Sequence, residues 1–294
     1  LRHLPKKSKV YNNREVFEKF FCFKTVCKLN ILLHRMAAEP EGNVDEAILR
    51  QVEDIQKEIA DTQQLVGRLQ NILLLGDQYQ QDDTIFQNKI KDLSKQYAHI
   101  RTTRADGNCF FRAFGFSYLE YLLNDRVEYE RFRNFAAKSK DELITLGFPA
   151  FTVEDFHDTF MELIDKVGEK ISVDELLTVF RDEGMSNYIV VYLRLLTSAQ
   201  LQKKEEFFEN FLEGGQTMKD FCSQEVEPMA RESDNIHIIA LSDATGVCIR
   251  IEHLDRSGTD ATINHHDFPD DGREPMIYLL YKPGHYDILY KHVK

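Results

Sequence analysis

The chain has 294 residues, enough for one large domain or two ordinary ones with a sizeable hydrophobic core. Hydrophobic residues make up 43% of it, with only 14 Gly and 7 Pro, which excludes collagen-like, low-complexity and wholly disordered chains. The net charge is −12, but residues 1–35 carry nine Lys or Arg and two Glu, whereas residues 36–294 carry 28 basic and 47 acidic side chains. This acidic body argues against nucleic acid as a main partner and favours partners with a basic face, although solubility alone accounts for it equally well.

Cysteine usage and hydropathy indicate where such a chain works. The five cysteines are odd in number and widely spaced, so they do not form a recognisable disulfide framework and favour a reducing compartment. The cytoplasm is therefore the expected location, with the nucleus as a second one. No run of about 18 apolar residues exists, so we expect a soluble protein without a spanning helix or a membrane partner.

The N-terminal segment differs from the rest in charge. The first methionine, Met36, opens MAAEPEGN, a start typical of a cytosolic protein, so residues 1–35 are predicted to be an upstream or poorly ordered extension. A basic targeting sequence is the alternative. The segment lacks, however, the uninterrupted apolar stretch and the small-residue cleavage site of a secretory signal.

From Val44 onward the apolar residues recur with helical spacing. They predict an amphipathic arm, and the stripe continues through Thr62, Val66 and Leu69; its main members are Ile48, Val52, Ile55 and Ile59. Periodicity alone favours a core helix or a coiled-coil strand over a helix that binds a partner. A connection around Gly76 and residues 80–83 and a helix near residues 85–97 are predicted next.

A turn rich in Asp, Gly and Asn then precedes a strongly apolar helix that begins at Cys109. The segments up to about residue 245 are mainly helical, and turn signals separate them. The runs VCIRIEHL, MIYLLY and HYDILY are short and rich in β-formers, and they predict a small, largely antiparallel sheet. Helices followed by strands indicate an α+β domain.

Cys109 is the candidate nucleophile. A helix N-terminus favours a thiolate through its unpaired N–H groups, and the turn formed by Asp106, Gly107 and Asn108 can direct backbone N–H groups at an oxyanion beside the sulfur. His285 is the candidate base. Because side chains at i and i+2 share one face of a strand, Asp287 can orient its ring.

Each element also has a purely structural interpretation. A lone cysteine at a helix start is usually a small buried hydrophobe, and Cys222 and Cys248 keep that interpretation. His237 lies in an apolar run and is predicted to be a satisfied core side chain. The pair His265-His266 lacks a second Cys/His pair at ligand spacing, so a solvated loop is expected, with no metal ion or cofactor. Spacing alone thus indicates cysteine hydrolase chemistry and no particular substrate.

The segments DGNCFFRAF and YKPGHYDILY resemble the two catalytic signatures of the ovarian-tumour (OTU) class of cysteine deubiquitinases. In the expected order, FTVEDFHDTFMELI, YLRLLTS, FCSQEVEPM and IHIIAL resemble otubain segments specifically. The resemblance runs from about Val44 to Lys291 and leaves residues 1–43 unmatched. It implies a papain-like OTU fold, with a small, mainly antiparallel sheet flanked by helices, an N-terminal ubiquitin-binding arm at residues 44–70 and a catalytic domain at residues 80–294.

Roles carried over by this resemblance follow the motifs. Cys109 is expected as nucleophile, His285 as general base and acid, and Asp287 as the residue that orients the histidine. Asp106 is expected to help shape the oxyanion loop of Gly107 and Asn108. Phe111 and Ala105 depart from the Tyr and Pro frequent in otubains, and both flank the loop without changing its polar atoms.

The arm is similar to the helical extension of the longer animal otubains, which helps engage the proximal ubiquitin. This likeness reverses the preference from periodicity, so Ile48, Val52, Ile55 and Ile59 are expected to present an apolar face to ubiquitin. The resemblance implies a monomer that cleaves the compact, proteasome-targeting type of polyubiquitin chain. A surface for the distal ubiquitin is expected near residues 207–215, with Phe211 foremost, and core packing of this aromatic helix is equally compatible with the sequence.

A second function belongs to a different class. The longer otubains are also known as ubiquitin-dependent inhibitors of ubiquitin-conjugating enzymes, which makes those enzymes expected partners. Such binding needs the arm and the ubiquitin surfaces but not the thiolate.

Overall fold

The computed structural model describes residues 44–212, 214–257 and 262–293, and the expectations for residues 1–43 lie outside them. The chain divides into two compact units, residues 1–55 and residues 56–294. The described part of the first unit, residues 44–55, is entirely helical. The second unit contains the sheet and the remaining helices.

Helix α1 spans Val44–Thr62, as the apolar spacing predicts, but it does not continue through Val66. Beyond the helix, Val66 is fully buried and forms an isolated antiparallel bridge with Thr103. The Arg104 guanidinium accounts for this end, because its Nη2 donates to Ala60 O at 3.2 Å and its Nε to Gln63 O at 3.0 Å. Such bonds satisfy carbonyls that a helix C-terminus leaves without intrahelical partners.

Six strands form one sheet in the spatial order β1-β2-β6-β5-β3-β4. All neighbours are antiparallel except β3 and β5, which are parallel, so the expected largely antiparallel sheet is present. The strands are β1 Gln70–Asn71, β2 Tyr97–Arg101, β3 Ile249–His253, β4 Asn264–Phe268, β5 Ile277–Lys282 and β6 His285–Lys291.

Nine further α-helices surround the sheet in the described part of residues 56–294. They are α2 Thr84–Leu93, α3 Cys109–Leu122, α4 Arg126–Thr145, α5 Ala150–Gly168, α6 Val173–Arg181, α7 Glu183–Lys203, α8 Glu205–Phe208, α9 Met218–Phe221 and α10 Asn235–Thr245. Short 3-10 turns at Ile72–Gln78 and Glu209–Phe211 and a π-turn at Cys222–Val226 complete the elements.

Helix α3 is the centre of the larger hydrophobic core. Its side chains are almost all buried, since it packs against β5 and β6 on one side and α7 on the other. A second core contains α2, the 3-10 turn at Ile72–Gln78 and inward-facing strand residues such as Tyr97 and Leu289. The family fold of a small sheet flanked by helices is therefore confirmed.

Three details differ from the sequence-based predictions. The helix predicted near residues 85–97 ends at Leu93, and Tyr97 begins a buried strand instead. The connection predicted around Gly76 is a 3-10 turn. His265 and His266 lie on the exposed edge strand β4 rather than in a loop, because their backbone pairs with β3.

Candidate active site

Cys109 is the first residue of α3 and is only 4% exposed. The turn before it is held by the Asp106 carboxylate, whose Oδ1 accepts from Asn108 N at 3.0 Å and from Arg112 Nη1 at 2.9 Å. The backbone N–H of Asn108 is thus used inside the turn. Gly107 N and Cys109 N have no acceptor among the described residues, which leaves them as the donors available to an oxyanion.

Gly107 has a φ of +75°, a backbone conformation that residues other than glycine rarely adopt. A Cβ built at Gly107 would lie 2.4 Å from Ala230 O, so the segment containing Ala230 presses directly on the turn. Asn108 holds the turn and this segment together, because its Oδ1 accepts a hydrogen bond from Ala230 N at 2.9 Å. The turn is therefore shaped by a close contact that only glycine permits.

His285 begins β6, and Asp287 follows on the same face of the strand. His285 Nε2 lies 2.8 Å from Asp287 Oδ1, within hydrogen-bond distance. Tyr286 between them points away and packs edge-on against Phe110, with ring centroids 5.3 Å apart. Because side chains alternate along a strand, His285 and Asp287 lie on one face of β6 and Tyr286 lies on the other.

The second ring nitrogen of His285, Nδ1, is buried and has no aligned hydrogen bond among the described residues. The Cys109 side chain is nevertheless close enough to interact with the His285 ring through hydrogen bonding and charge. A catalytic hydrogen bond is often long or poorly aligned before substrate binds, which accounts for the missing alignment at Nδ1. His285 therefore lies with Asp287 on one nitrogen and the Cys109 side chain within interaction range.

Asp287 is fully buried and has three polar partners from different parts of the chain. Besides His285, the backbone N–H of Thr103 donates to Oδ1 at 2.9 Å, and Lys282 Nζ lies 2.7 Å from Oδ2. Oδ2 makes no aligned hydrogen bond, so Lys282 acts on it as an ion-pair partner. Neither Thr103 nor Lys282 was predicted from the sequence, although Lys282 stands three residues before His285 in the YKPGHYD motif.

Neighbouring charges set the protonation states of His285 and Asp287. Burial alone lowers the pKa of His285, but the Asp287 charge and hydrogen bond, with a contribution from Cys109, outweigh it and raise the pKa to about 10. Burial raises the pKa of Asp287, yet Lys282 and then His285 hold it well below its usual range. The arrangement keeps a protonated imidazole beside the sulfur at neutral pH, as an ion-pair nucleophile requires.

The other predicted side chains are placed as follows. The side chains of Ile48 and Val52 lie outside the described set, and those of Ile55 and Ile59 are half-buried. Phe211 is 52% exposed and its neighbour Phe207 is 55% exposed. Phe208 fills the core position of this aromatic turn, so Phe211 is free for a partner.

The remaining cysteines and histidines of the described residues stay outside this site. Burial raises the pKa of Cys222 to about 11 and lowers that of His237 to about 4, which suits an inert thiol and a neutral core imidazole. Cys22 and Cys27 lie outside the described residues. Within the part of the chain that the structure covers, no group of His, Cys, Asp and Glu could hold a metal ion, and no helix could span a membrane.

Known proteins are similar to this chain in sequence. Residues 58–291 match the family described as Peptidase C65 Otubain. The Ubiquitin thioesterase OTUB1 of Homo sapiens is 57% identical over 247 residues, which cover 84% of this chain and 90% of that protein. The OVARIAN TUMOR DOMAIN-containing deubiquitinating enzyme 1 of Arabidopsis thaliana is 45% identical over 255 residues, or 80% of this chain and 83% of that protein.

Solved structures are similar to this chain in fold. An h/ceOTUB1 chain in a complex with ubiquitin aldehyde and UBCH5B~Ub superposes with a TM-score of 0.80 and 38% identity, covering 85% of this chain and 99% of that one. A complex of h/ceOTUB1 with ubiquitin aldehyde and UBC13~Ub gives the same values. Sequence and fold together show that the chain belongs to the otubain family of cysteine peptidases.

Proposed function

We propose that this chain hydrolyses the isopeptide bond of polyubiquitin through Cys109, His285 and Asp287, with preference for the compact, proteasome-targeting lysine linkage. The family and its ubiquitin thioesterase relatives make it a cysteine-type deubiquitinase. The observation that carries the residue assignment is His285, which lies 2.8 Å from Asp287 and within interaction range of Cys109.

The chemistry follows from these positions. The Cys109 thiolate attacks the carbonyl carbon at the C-terminus of the distal ubiquitin, and Gly107 N and Cys109 N donate to the resulting oxyanion. The tetrahedral intermediate collapses as His285 gives its proton to the departing lysine amine. Water, deprotonated by His285, then hydrolyses the thioester and restores the thiolate.

Linkage preference rests on the arm. Ile55 and Ile59 of α1 are only half-buried, so their free surface supports contact with the proximal ubiquitin. The exposed Phe211 is assigned to the distal ubiquitin. The predicted domain limits, residues 44–70 for the arm and 80–294 for the catalytic domain, remain part of this proposal, as do the cytoplasmic and nuclear locations.

Cleavage of a panel of diubiquitin linkages tests the assignment. Wild type should cleave the proteasome-targeting linkage fastest, and Cys109→Ser should abolish cleavage. The matched control is Cys222→Ser, whose sulfur is buried in a separate hydrophobic cluster and donates to Ser198 O at 3.8 Å, so this variant should retain the wild-type rate. Unimpaired cleavage by Cys109→Ser would remove the catalytic assignment.

A second function is favoured by the solved complexes of h/ceOTUB1 with UBCH5B~Ub and UBC13~Ub. On this proposal the chain also binds charged ubiquitin-conjugating enzymes and inhibits ubiquitin transfer without using its thiolate. Cys109→Ser should then inhibit transfer as well as wild type does. Deletion of residues 1–62 should abolish inhibition and slow cleavage of the preferred linkage, and unchanged kinetics would contradict the role of the arm.

A further inference from the structure

Arg194 of α7 is completely buried directly beneath the catalytic turn. Its Nη2 donates to Gly107 O at 2.9 Å and to Asn108 Oδ1 at 3.0 Å, the two residues that immediately precede Cys109. The same guanidinium donates to Val226 O at 2.9 Å and to Arg231 O at 2.7 Å. One side chain therefore ties the turn before the nucleophile to the segment that packs on it.

The acceptors of Arg194 are all neutral. No ion pair among the described residues includes Arg194, its Nε has no hydrogen-bond partner there, and its guanidinium lies 4.5 Å above the Phe111 ring. The nearby buried Arg112 differs, because it pairs with Asp106 at 2.9 Å. Since a buried cation is costly without a compensating anion, the missing negative charge near Arg194 needs an explanation.

Two acidic side chains, those of Cys109 and Asp106, act electrostatically on Arg194. Burial lowers the pKa of Arg194 to about 10, while Cys109 and then Asp106 act to raise it. Asp106 is already paired with Arg112, which leaves Cys109 as the acidic group whose charged form Arg194 favours. Because such interactions are reciprocal, an anion that stabilises the guanidinium is stabilised by it.

We infer that Arg194 is a positioning residue for the nucleophile: its charge stabilises the Cys109 thiolate from beneath the turn, and its planar fork holds the Gly107 carbonyl and the Asn108 side chain. The inference rests on the proposed nucleophile. Two cations then stabilise the thiolate. The imidazolium of His285 approaches the sulfur from the terminal strand and also transfers the proton, whereas the guanidinium remains fixed.

Other charged and titratable groups lie around the site and set the background for any pH measurement. They are Asp106 and Arg112 at the turn and in α3, His237 of α10, which interacts electrostatically with Arg194, Lys282, His285, Tyr286 and Asp287 from β5 and β6, and Glu232 and Asp234, whose charges act on Tyr286. These groups are unchanged in variants of Arg194, so a shift between wild type and such a variant reports on the guanidinium.

Two substitutions separate charge from hydrogen bonding. Arg194→Gln keeps amide donors but no charge, and Arg194→Lys keeps the charge but loses the fork. In the full chain, alkylation of Cys109 by iodoacetamide is followed across pH by mass spectrometry of the peptide that contains it. The pH of half-maximal alkylation should rise by about one unit in Arg194→Gln and remain within about 0.3 unit of wild type in Arg194→Lys.

Chain cleavage supplies the second measurement. Near neutral pH, kcat of Arg194→Gln should fall by on the order of tenfold, because this variant no longer has the guanidinium that holds the turn before Cys109. In Arg194→Lys kcat should fall while the alkylation profile stays at the wild-type pH, because the fork no longer holds the turn. Lys89→Met is the control for loss of a buried cation away from the site, since Lys89 is equally buried and is bound to Asp255 O, Ser257 O and the Asp255 carboxylate. It should lose thermal stability without any shift in alkylation.

An Arg194→Gln profile that coincides with wild type overturns the inference, and so does an Arg194→Lys profile raised as far as that of Arg194→Gln. Should Arg194→Gln not fold, the Lys variant decides alone: a wild-type profile supports the charge role and a raised one rejects it. Cys109→Ala distinguishes failure of the underlying function. If that variant still cleaves chains, the nucleophile is wrong, whereas loss of cleavage with unshifted Arg194 profiles rejects only the role of Arg194.

Discussion

Asp287 brings three partners from separate parts of the chain onto one buried carboxylate. His285 and Thr103 share one oxygen and Lys282 occupies the other, so the orientation of the imidazole depends on groups from both neighbouring strand regions. The lysine fixes the carboxylate and also reduces its pull on the imidazolium proton. A cation in that position is expected to tune the base as well as to hold it.

Lys282→Met tests this tuning. Removal of a cation 2.7 Å from Asp287 raises the pKa of His285 further, so the alkaline limb of the cleavage profile should move to higher pH. Stability should fall by about 3 kcal/mol, because a buried charge loses one partner. The measurements are cleavage rates against pH and urea unfolding, with Lys282→Arg expected to restore both. A limb that moves to lower pH would contradict the assignment.

Gly107→Ala tests the close approach of Ala230 to the turn. The new Cβ would meet Ala230 O at 2.4 Å, and a φ of +75° strains any residue but glycine. Cleavage should fall about a hundredfold, as for loss of an oxyanion donor, and stability by about 2 kcal/mol. Gly147→Ala is the control, since Gly147 also has a positive φ but nothing within 4 Å. Equal kinetics in both variants would argue against the contact.

Sequence reasoning reached some of these residues and missed others for a physical reason. Cys109, His285 and Asp287 were found because each role depends on local geometry, a helix start or an i and i+2 pair on a strand. Arg194 and Thr103 act across more than 80 residues of sequence, through contacts that exist only after folding. A lone charge inside YLRLLTS was the one local sign of Arg194.

Helices and strands also differ in how well the sequence predicts them. Helices α4 to α7 were predicted as helical segments because turn signals separate them. Strands β1, β2 and β4 were missed. A two-residue strand has no period, the start of β2 was included in the helix predicted near residues 85–97, and NHHDF has no apolar alternation. β1 and β4 lie at the edges of the sheet, where backbone pairing rather than side-chain burial makes the strand.

The aromatic turn formed by α8 and residues 209–211 has one inward and one outward side chain. Phe208→Ala removes a fully buried ring and should cost about 4 kcal/mol of stability. Phe211→Ala should leave stability within about 0.5 kcal/mol and raise KM for diubiquitin about tenfold, because Phe211 is 52% exposed. Thermal melts and steady-state kinetics distinguish the two, and an unchanged KM in Phe211→Ala would exclude this ring from ubiquitin binding.

For the molecule as a whole, the raised pKa of His285 links stability to pH. The folded state holds the proton more tightly than the unfolded chain, so this stabilisation is fully present below about pH 6.5 and is lost as pH rises towards about 10. The depressed pKa of Asp287 acts oppositely, and its contribution is lost as pH falls below about 4.

Urea unfolding at several pH values measures this link. Wild type should lose more stability between pH 7 and pH 10 than His285→Gln, which has no imidazolium to deprotonate. Asp287 remains in the variant, so the comparison isolates the imidazole. Parallel stability curves for the two proteins over this range would show that His285 is not held protonated by the fold.

The order of the chain gives the terminal hairpin a consequence for biosynthesis. His285 follows Cys109 by 176 residues, and β6 completes the sheet between β2 and β5. At ordinary translation speeds the ribosome needs on the order of 10 to 35 seconds to bridge that distance. In the nascent polypeptide the Cys109 thiol is therefore made long before the His285 imidazole, and newly made enzyme stays inactive until synthesis has passed that histidine.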